Sequence, residues 1–193
     1  MIRLGIALAA LFSAFSTTAH AAPVRVRIET SVGAIVVALE TKRAPVTSRN
    51  FLAYVDEKRF DGTSFYRAAR SRTKPGTGFV QGGINHVATR MRNPIPHEPT
   101  SRTGIRHVNG TISMARNAPG TAMGDFFIAV GPAPYLDARP GFEGYAAFGQ
   151  VVSGMDVVKK ILAAPTYVGG RSQATLGQSI VKPVRILSAR RVR

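Results

Sequence analysis

Residues 61–70 read "DGTSFYRAAR", and the reading of this stretch decides what kind of fold the chain has and what the fold is for. Read as a strand, Ser64 to Ala68 points successive side chains to opposite faces. Alternation therefore predicts Arg67 on the same face as Phe65. A guanidinium beside a large aromatic has two readings. In one, this is an edge strand whose arginine lays its methylenes along apolar surface and puts its charge in water. In the other, the strand is the wall of a cleft, where a fixed cation stands next to an apolar pocket.

The flanking segments read as further short strands. "GFVQGG", residues 78–83, is joined to the first by the Gly/Pro-containing loop "ARSRTKPGTG". Upstream, Val24 to Glu29 and Ala34 to Glu40 alternate on either side of the turn residues Ser31 to Gly33, which predicts a hairpin. "RAPVTSRNFLAYVDEK" predicts a helix, with Pro45 near its start, Thr47 as N-cap and Phe51, Leu52 and Val55 at helical spacing. Pro94, Pro96 and Pro99 exclude regular structure from much of residues 84–109. "GTISMAR" and "DFFIAV" read as strands around the small-residue loop "NAPGTAMG". "YAAFGQVV" is another strand, "GMDVVKKILA" a second amphipathic helix and "VKPVRILSARRV" a closing strand. Many short strands with two helices predict a mainly β, antiparallel barrel or sandwich forming one domain, not alternating α/β units.

The first residues carry a different signal. Arg3, the apolar run Leu4 to Phe15 and the small-residue pattern Ala19-His20-Ala21 form a secretory signal peptide over residues 1–21, with the folded domain in 22–193. No other stretch predicts stable membrane insertion. The chain has no cysteine, so disulfides, thiolate chemistry and Cys-His metal sites are excluded. Lys and Arg number 26 against 10 Asp and Glu, a formal charge of +16. That balance favours anionic surroundings, but the basic residues are scattered, do not interleave with aromatics and match no nucleic-acid motif, so no nucleic-acid partner is expected.

Three strands share a pattern. Alternation pairs Arg67 with Phe65, Gln81 with Phe79, and Asp125 with Phe127, each a polar side chain two residues from an aromatic. Three such pairs point to one cleft with an apolar floor and a polar rim. His86, His97 and His107 lack metal-ligand spacing and read as surface or hydrogen-bonding residues. The serines lack a Gly-x-Ser-x-Gly elbow. Gly82-Gly83 reads as a tight turn. Asp125 is expected to hydrogen-bond the "NAPGTAMG" loop or to face Arg67.

"AP.T..NF..Y", "FDGTSFYR", "FVQGG", "GTISMAR", "DFFI" and "YAAFGQVVSGMDVV" occur in the order and spacing of the cyclophilins, and the chain resembles that family over essentially all of residues 22–193. The resemblance implies a closed eight-stranded antiparallel β-barrel capped by two α-helices, peptidyl-prolyl cis-trans isomerase activity, proline-containing polypeptide substrates and no cofactor or metal. It places Arg67 on the catalytic arginine, Gln81 on the glutamine that orients it, and Phe127 on the aromatic of the proline pocket. Leu136 falls on an aliphatic wall of that pocket, and Ala115 and Arg116 on the strand that binds the substrate backbone. Departures are visible. Tyr135 replaces the usual site tryptophan, Tyr145 the usual histidine, and Asp125 a common glutamine; the missing tryptophan implies weak cyclosporin binding. Counting back from Gln81 puts Phe79 on the pocket methionine and Gly78 where a phenylalanine is typical, while a one-residue slip would restore that phenylalanine at Phe79. An exported, periplasmic monomer that assists folding is the expected role; a binding module that holds proline-containing partners is the alternative.

Overall fold

The computed structural model describes residues 23–170 and 172–192, so the expected signal peptide lies outside the described residues. The turn at Ser31 to Gly33 folds β1 (Val24–Thr30) onto β2 (Gly33–Leu39), with Val24 opposite Leu39. After α1 (Pro45–Asp56) come β3 (Ser64–Arg70) and β4 (Gly78–Gly83), then a proline-rich stretch whose only α-helical turn is α2 (Thr100–Thr103). β5 (Thr111–Met114), β6 (Asp125–Val130), β7 (Ala147–Ser153), α3 (Met155–Ala163), the two-residue β8 (Thr166–Tyr167) and the long β9 (Ser179–Val192) complete the order.

The sheet runs β1-β2-β7-β5-β6-β4-β3-β9, and β1 also pairs with β9, so eight antiparallel strands close on themselves while β8 adds to β9. Closure leaves those eight strands without an open edge. This is the barrel that the resemblance implies.

Alternation sorts side chains as the sequence predicts on most strands. On β6, Phe126, Ile128 and Val130 join the barrel core with Val26, Ile28, Ile35 and Val37, whereas Phe127 and Ala129 point outward into a separate apolar cluster. α1 buries Phe51, whose ring lies 5.1, 5.5 and 5.2 Å from those of Phe60, Phe126 and Phe148. Burying such a side chain contributes roughly 1.5–3 kcal/mol. α3 buries Val157, Val158, Ile161 and Leu162. No helix among the described residues is long and apolar enough to cross a membrane.

Three local expectations are corrected. Thr47 is not the cap of α1: Pro45 opens the helix after Ala44, and the free N–H groups of Val46 and Thr47 donate to the buried Glu98 carboxylate at 3.2 and 2.7 Å. Gly82 and Gly83 are the last residues of β4, not a turn. A Cβ on Gly83, at φ +128°, would come within 2.3 Å of the Gly124 carbonyl oxygen, so close strand approach requires glycine there.

The third correction concerns Arg67 itself. Phe65 pairs with Gly82 and Arg67 with Gln81, so two steps on β3 match one step on β4 and Tyr66 is the extra residue of a β-bulge. The bulge breaks alternation. Phe65 is fully buried in the core with Ala68, while Tyr66 and Arg67 both line a cavity on the outer face.

Candidate active site

The cavity, about 670 Å³, lies over the outer faces of β3, β4 and β6. Its apolar part is formed by Phe127, Leu136, Phe79, Ala115 and Tyr145, which belong to or pack on the second cluster together with Ala129 and Ala133 behind them. The Phe127 ring lies 5.2 Å from that of Phe79 and meets that of Tyr145 edge-on at 5.4 Å. Phe79 therefore lines the pocket beside Phe127. Gly78 has no room for a side chain, because a Cβ there would come within 2.0 Å of the Ala69 carbonyl oxygen.

Arg67 stands where this apolar part meets the polar part, its guanidinium carbon 5.0 Å from the centre of the Phe79 ring. The aromatic that accompanies it is thus Phe79, from the neighbouring strand. Its Nη1 donates to Gln81 Oε1 at 2.9 Å and its Nε to Gln178 Oε1 at 2.8 Å. Burial pushes its pKa down from the usual arginine range, yet an arginine remains a cation. Both bonded partners are neutral amide oxygens. The charge is oriented without being neutralised.

Nine of the ten expected site residues line the cavity: Arg67, Phe79, Gln81, Ala115, Arg116, Asp125, Phe127, Leu136 and Tyr145. Ala115 extends the pairing of β5, its N–H donating to the Asp125 carbonyl at 2.9 Å. Arg116 lies over the Tyr145 ring, 4.9 Å from its centre, and donates to the Gly144 carbonyl. Tyr135 is the residue the structure does not bring in. It sits in a one-turn 3₁₀ helix, Pro134–Leu136, where neighbouring side chains diverge, so Leu136 turns inward and Tyr135 is 54% exposed.

Asp125 bonds neither the loop of residues 117–124 nor Arg67. Its Oδ1 accepts from the Tyr66 hydroxyl at 3.1 Å and from the Asn85 N–H at 2.8 Å. Burial pushes its carboxyl pKa up, opposed by the Asn85 and Tyr66 donors and by His86.

Sequence reasoning missed three contributors. Tyr66 was hidden by the bulge. Gln178 lies in a stretch without a periodic signal and reaches Arg67 only through the pairing of β3 with β9. His107 is a buried hydrogen-bonding residue: its Nδ1 lies 2.6 Å from Asp137 Oδ1 and its Nε2 2.9 Å from Ser113 Oγ.

A sequence profile described as cyclophilin type peptidyl-prolyl cis-trans isomerase/CLD matches residues 25–191. The chain belongs to the cyclophilin family. This cyclophilin is 36% identical over 173 residues to a peptidyl-prolyl cis-trans isomerase of Acinetobacter baylyi, covering 89% of this chain and 87% of that one. It is 35% identical over 177 residues to peptidyl-prolyl cis-trans isomerase A of Dickeya dadantii, covering 91% and 89%. Among solved structures, a Cryptosporidium parvum cyclophilin type isomerase determined in the presence of the dipeptide Ala-Pro shares its fold. That match has a TM-score of 0.70 at 20% identity, over 88% of this chain and 99% of the other.

Proposed function

We propose that this cyclophilin catalyses rotation about Xaa-Pro peptide bonds and, working as a periplasmic monomer, assists the folding of exported proteins. The observation that carries the catalytic reading is the un-neutralised guanidinium of Arg67 beside the Phe79 and Phe127 rings. Export rests on the Arg3, Leu4 to Phe15 and Ala19-His20-Ala21 pattern.

Rotation about a peptide bond means losing amide resonance, a barrier of about 18–20 kcal/mol. Only Xaa-Pro bonds populate cis appreciably, so only there does such catalysis serve a folding chain broadly. No bond breaks, and the chemistry needs no nucleophile. The enzyme has to hold the ring, fix the flanking backbone and favour the twisted amide over the planar one.

The residues divide this work. Phe127, Phe79 and Leu136 form an apolar seat for the proline ring. Ala115 and Arg116 present a strand end beside it for the substrate backbone. As the bond twists, the prolyl nitrogen becomes pyramidal and gains a lone pair, which a fixed N–H donor stabilises more strongly in a site partly shielded from water. Of the guanidinium's five N–H groups, one on Nε and one on Nη1 are committed to Gln178 and Gln81. The remainder are available, and the two glutamines fix their direction. Tyr135, which replaces the usual site tryptophan, is turned out of the cavity, and cyclosporin affinity is expected to be weak.

The test is isomerisation of short Xaa-Pro peptides by native protein and Arg67→Ala. Acceleration by the native chain that the variant loses supports the reading; equal inactivity on a range of Xaa residues removes it. N-terminal sequencing of protein released by osmotic shock tests export, with a start at Ala22 expected.

A further inference from the structure

The polar side of the cavity is one hydrogen-bonded chain with a cation at one end and a carboxylate at the other. Arg67 Nη1 donates to Gln81 Oε1 at 2.9 Å, Gln81 Nε2 donates to the Tyr66 hydroxyl oxygen at 2.7 Å, and the Tyr66 O–H donates to Asp125 Oδ1 at 3.1 Å. A guanidinium can only donate and an ionised carboxylate can only accept. The two ends therefore impose a single direction on everything between them.

We infer that Asp125 and Tyr66 are positioning residues of the isomerase site, which hold the Gln81 amide with its oxygen toward Arg67. This rests on the catalytic reading of Arg67 given above. The amide of a glutamine is nearly symmetrical in shape, and either end could face the guanidinium. With its NH₂ group toward Arg67, the amide would set donor against donor and release the cation. Because the Tyr66 O–H donates to Asp125, the hydroxyl oxygen is left to accept, and only the NH₂ end of Gln81 can satisfy it.

Several features support the assignment. Asp125 is only 8% exposed, so water does not compete freely for its oxygens. Its Oδ1 is also fixed by the Asn85 backbone, where Asn85 and His86 both take positive φ, 49° and 61°. Two successive non-glycine residues in that region are held by their surroundings, not by their own preference. The bulge that turns Arg67 to the cavity is also what turns Tyr66 there, so donor and relay are placed by one backbone irregularity. Chains of this kind, charged at both ends, are stronger than isolated neutral bonds.

The experiment uses Tyr66→Phe, Asp125→Ala, Asp125→Asn and the double variant Tyr66→Phe/Asp125→Ala, with two readouts. Thermal unfolding first confirms that each is folded. Peptide isomerisation should show Tyr66→Phe lowering kcat about three- to tenfold, the worth of one lost hydrogen bond, with KM little changed. Asp125→Ala should fall as far, and the double variant no further, because the residues act as one unit. Asp125→Asn keeps an acceptor and should recover most of the rate. In the free protein, the Gln81 side-chain NH₂ signals should be protected from hydrogen exchange in the native chain and lose protection in Tyr66→Phe. Unchanged kcat in folded Tyr66→Phe, additive losses in the double variant, or an unprotected native amide would each overturn the assignment. A native chain that protects the Gln81 amide yet turns over no peptide would remove the catalytic reading and, with it, the positioning role.

Discussion

The imidazole of His107 lies parallel to the ring of Phe127, 5.8 Å between centroids and 14° between planes, without itself lining the cavity. It ties the pocket ring to Asp137 and Ser113. Burial lowers the His107 pKa, with the Asp137 hydrogen bond opposing. The unfolded chain therefore binds a proton that the native chain resists, and stability rises with pH. His107 contributes this stability above the unfolded value near 6.5, and it is lost as pH falls from there toward the lower native value. Urea unfolding should show a drop between pH 7.5 and pH 5 that is smaller in His107→Gln.

Arg67→Lys keeps the charge and loses the fork. A lysine ammonium cannot hold Gln81 and Gln178 at once in the geometry of the guanidinium. The expected result is a fall in kcat of about 10²-fold, the scale of a lost transition-state donor, with KM near native because Phe79, Phe127 and Leu136 are untouched. Steady-state kinetics on one peptide decides it; a lysine variant within threefold of native would show that orientation is unimportant.

Gln178 offers a sharper contrast. Gln178→Ala removes the acceptor on Arg67 Nε and should lower kcat about three- to tenfold. Gln178→Glu supplies a stronger acceptor but neutralises the cation, and it should lower kcat further than the alanine does. Were bond strength all that mattered, the glutamate variant would be the more active of the two.

Glu98 should matter for stability alone. Its carboxylate accepts from Val46 N, Thr47 N and Thr47 Oγ1 at the start of α1, and is 3% exposed. Glu98→Ala should cost about 2–4 kcal/mol in urea unfolding, by leaving buried donors unpaired, with the rate per folded molecule unchanged.

The strands were legible because alternation and turn residues mark them locally, while their closure into a barrel, as against a sandwich, was implied only by the resemblance. Gln81 with Phe79 and Asp125 with Phe127 do share the outer face, since β4 and β6 pair with each other without irregularity. Arg67 with Phe65 failed because a bulge is a property of pairing: nothing in "SFYRA" shows that one residue will be left over against β4. The same holds for Gln178 and His107, whose partners lie 111 and 30 residues away along the chain. Tyr135 and Leu136 could be placed by resemblance, but which of them turns inward is set by a short turn whose handedness the pattern does not encode.

The long β9 strand carries a consequence for how closure and the site depend on each other. β9 pairs with both β1 and β3, so residues 179–192 join β1 to the strand that bears Arg67. Without β9 the strands β1 to β7 cannot close the cylinder, because β1 and β3 have no other strand between them. Closure of the cylinder and the hold on the guanidinium are thus supplied by one neighbouring stretch, Gln178 and β9.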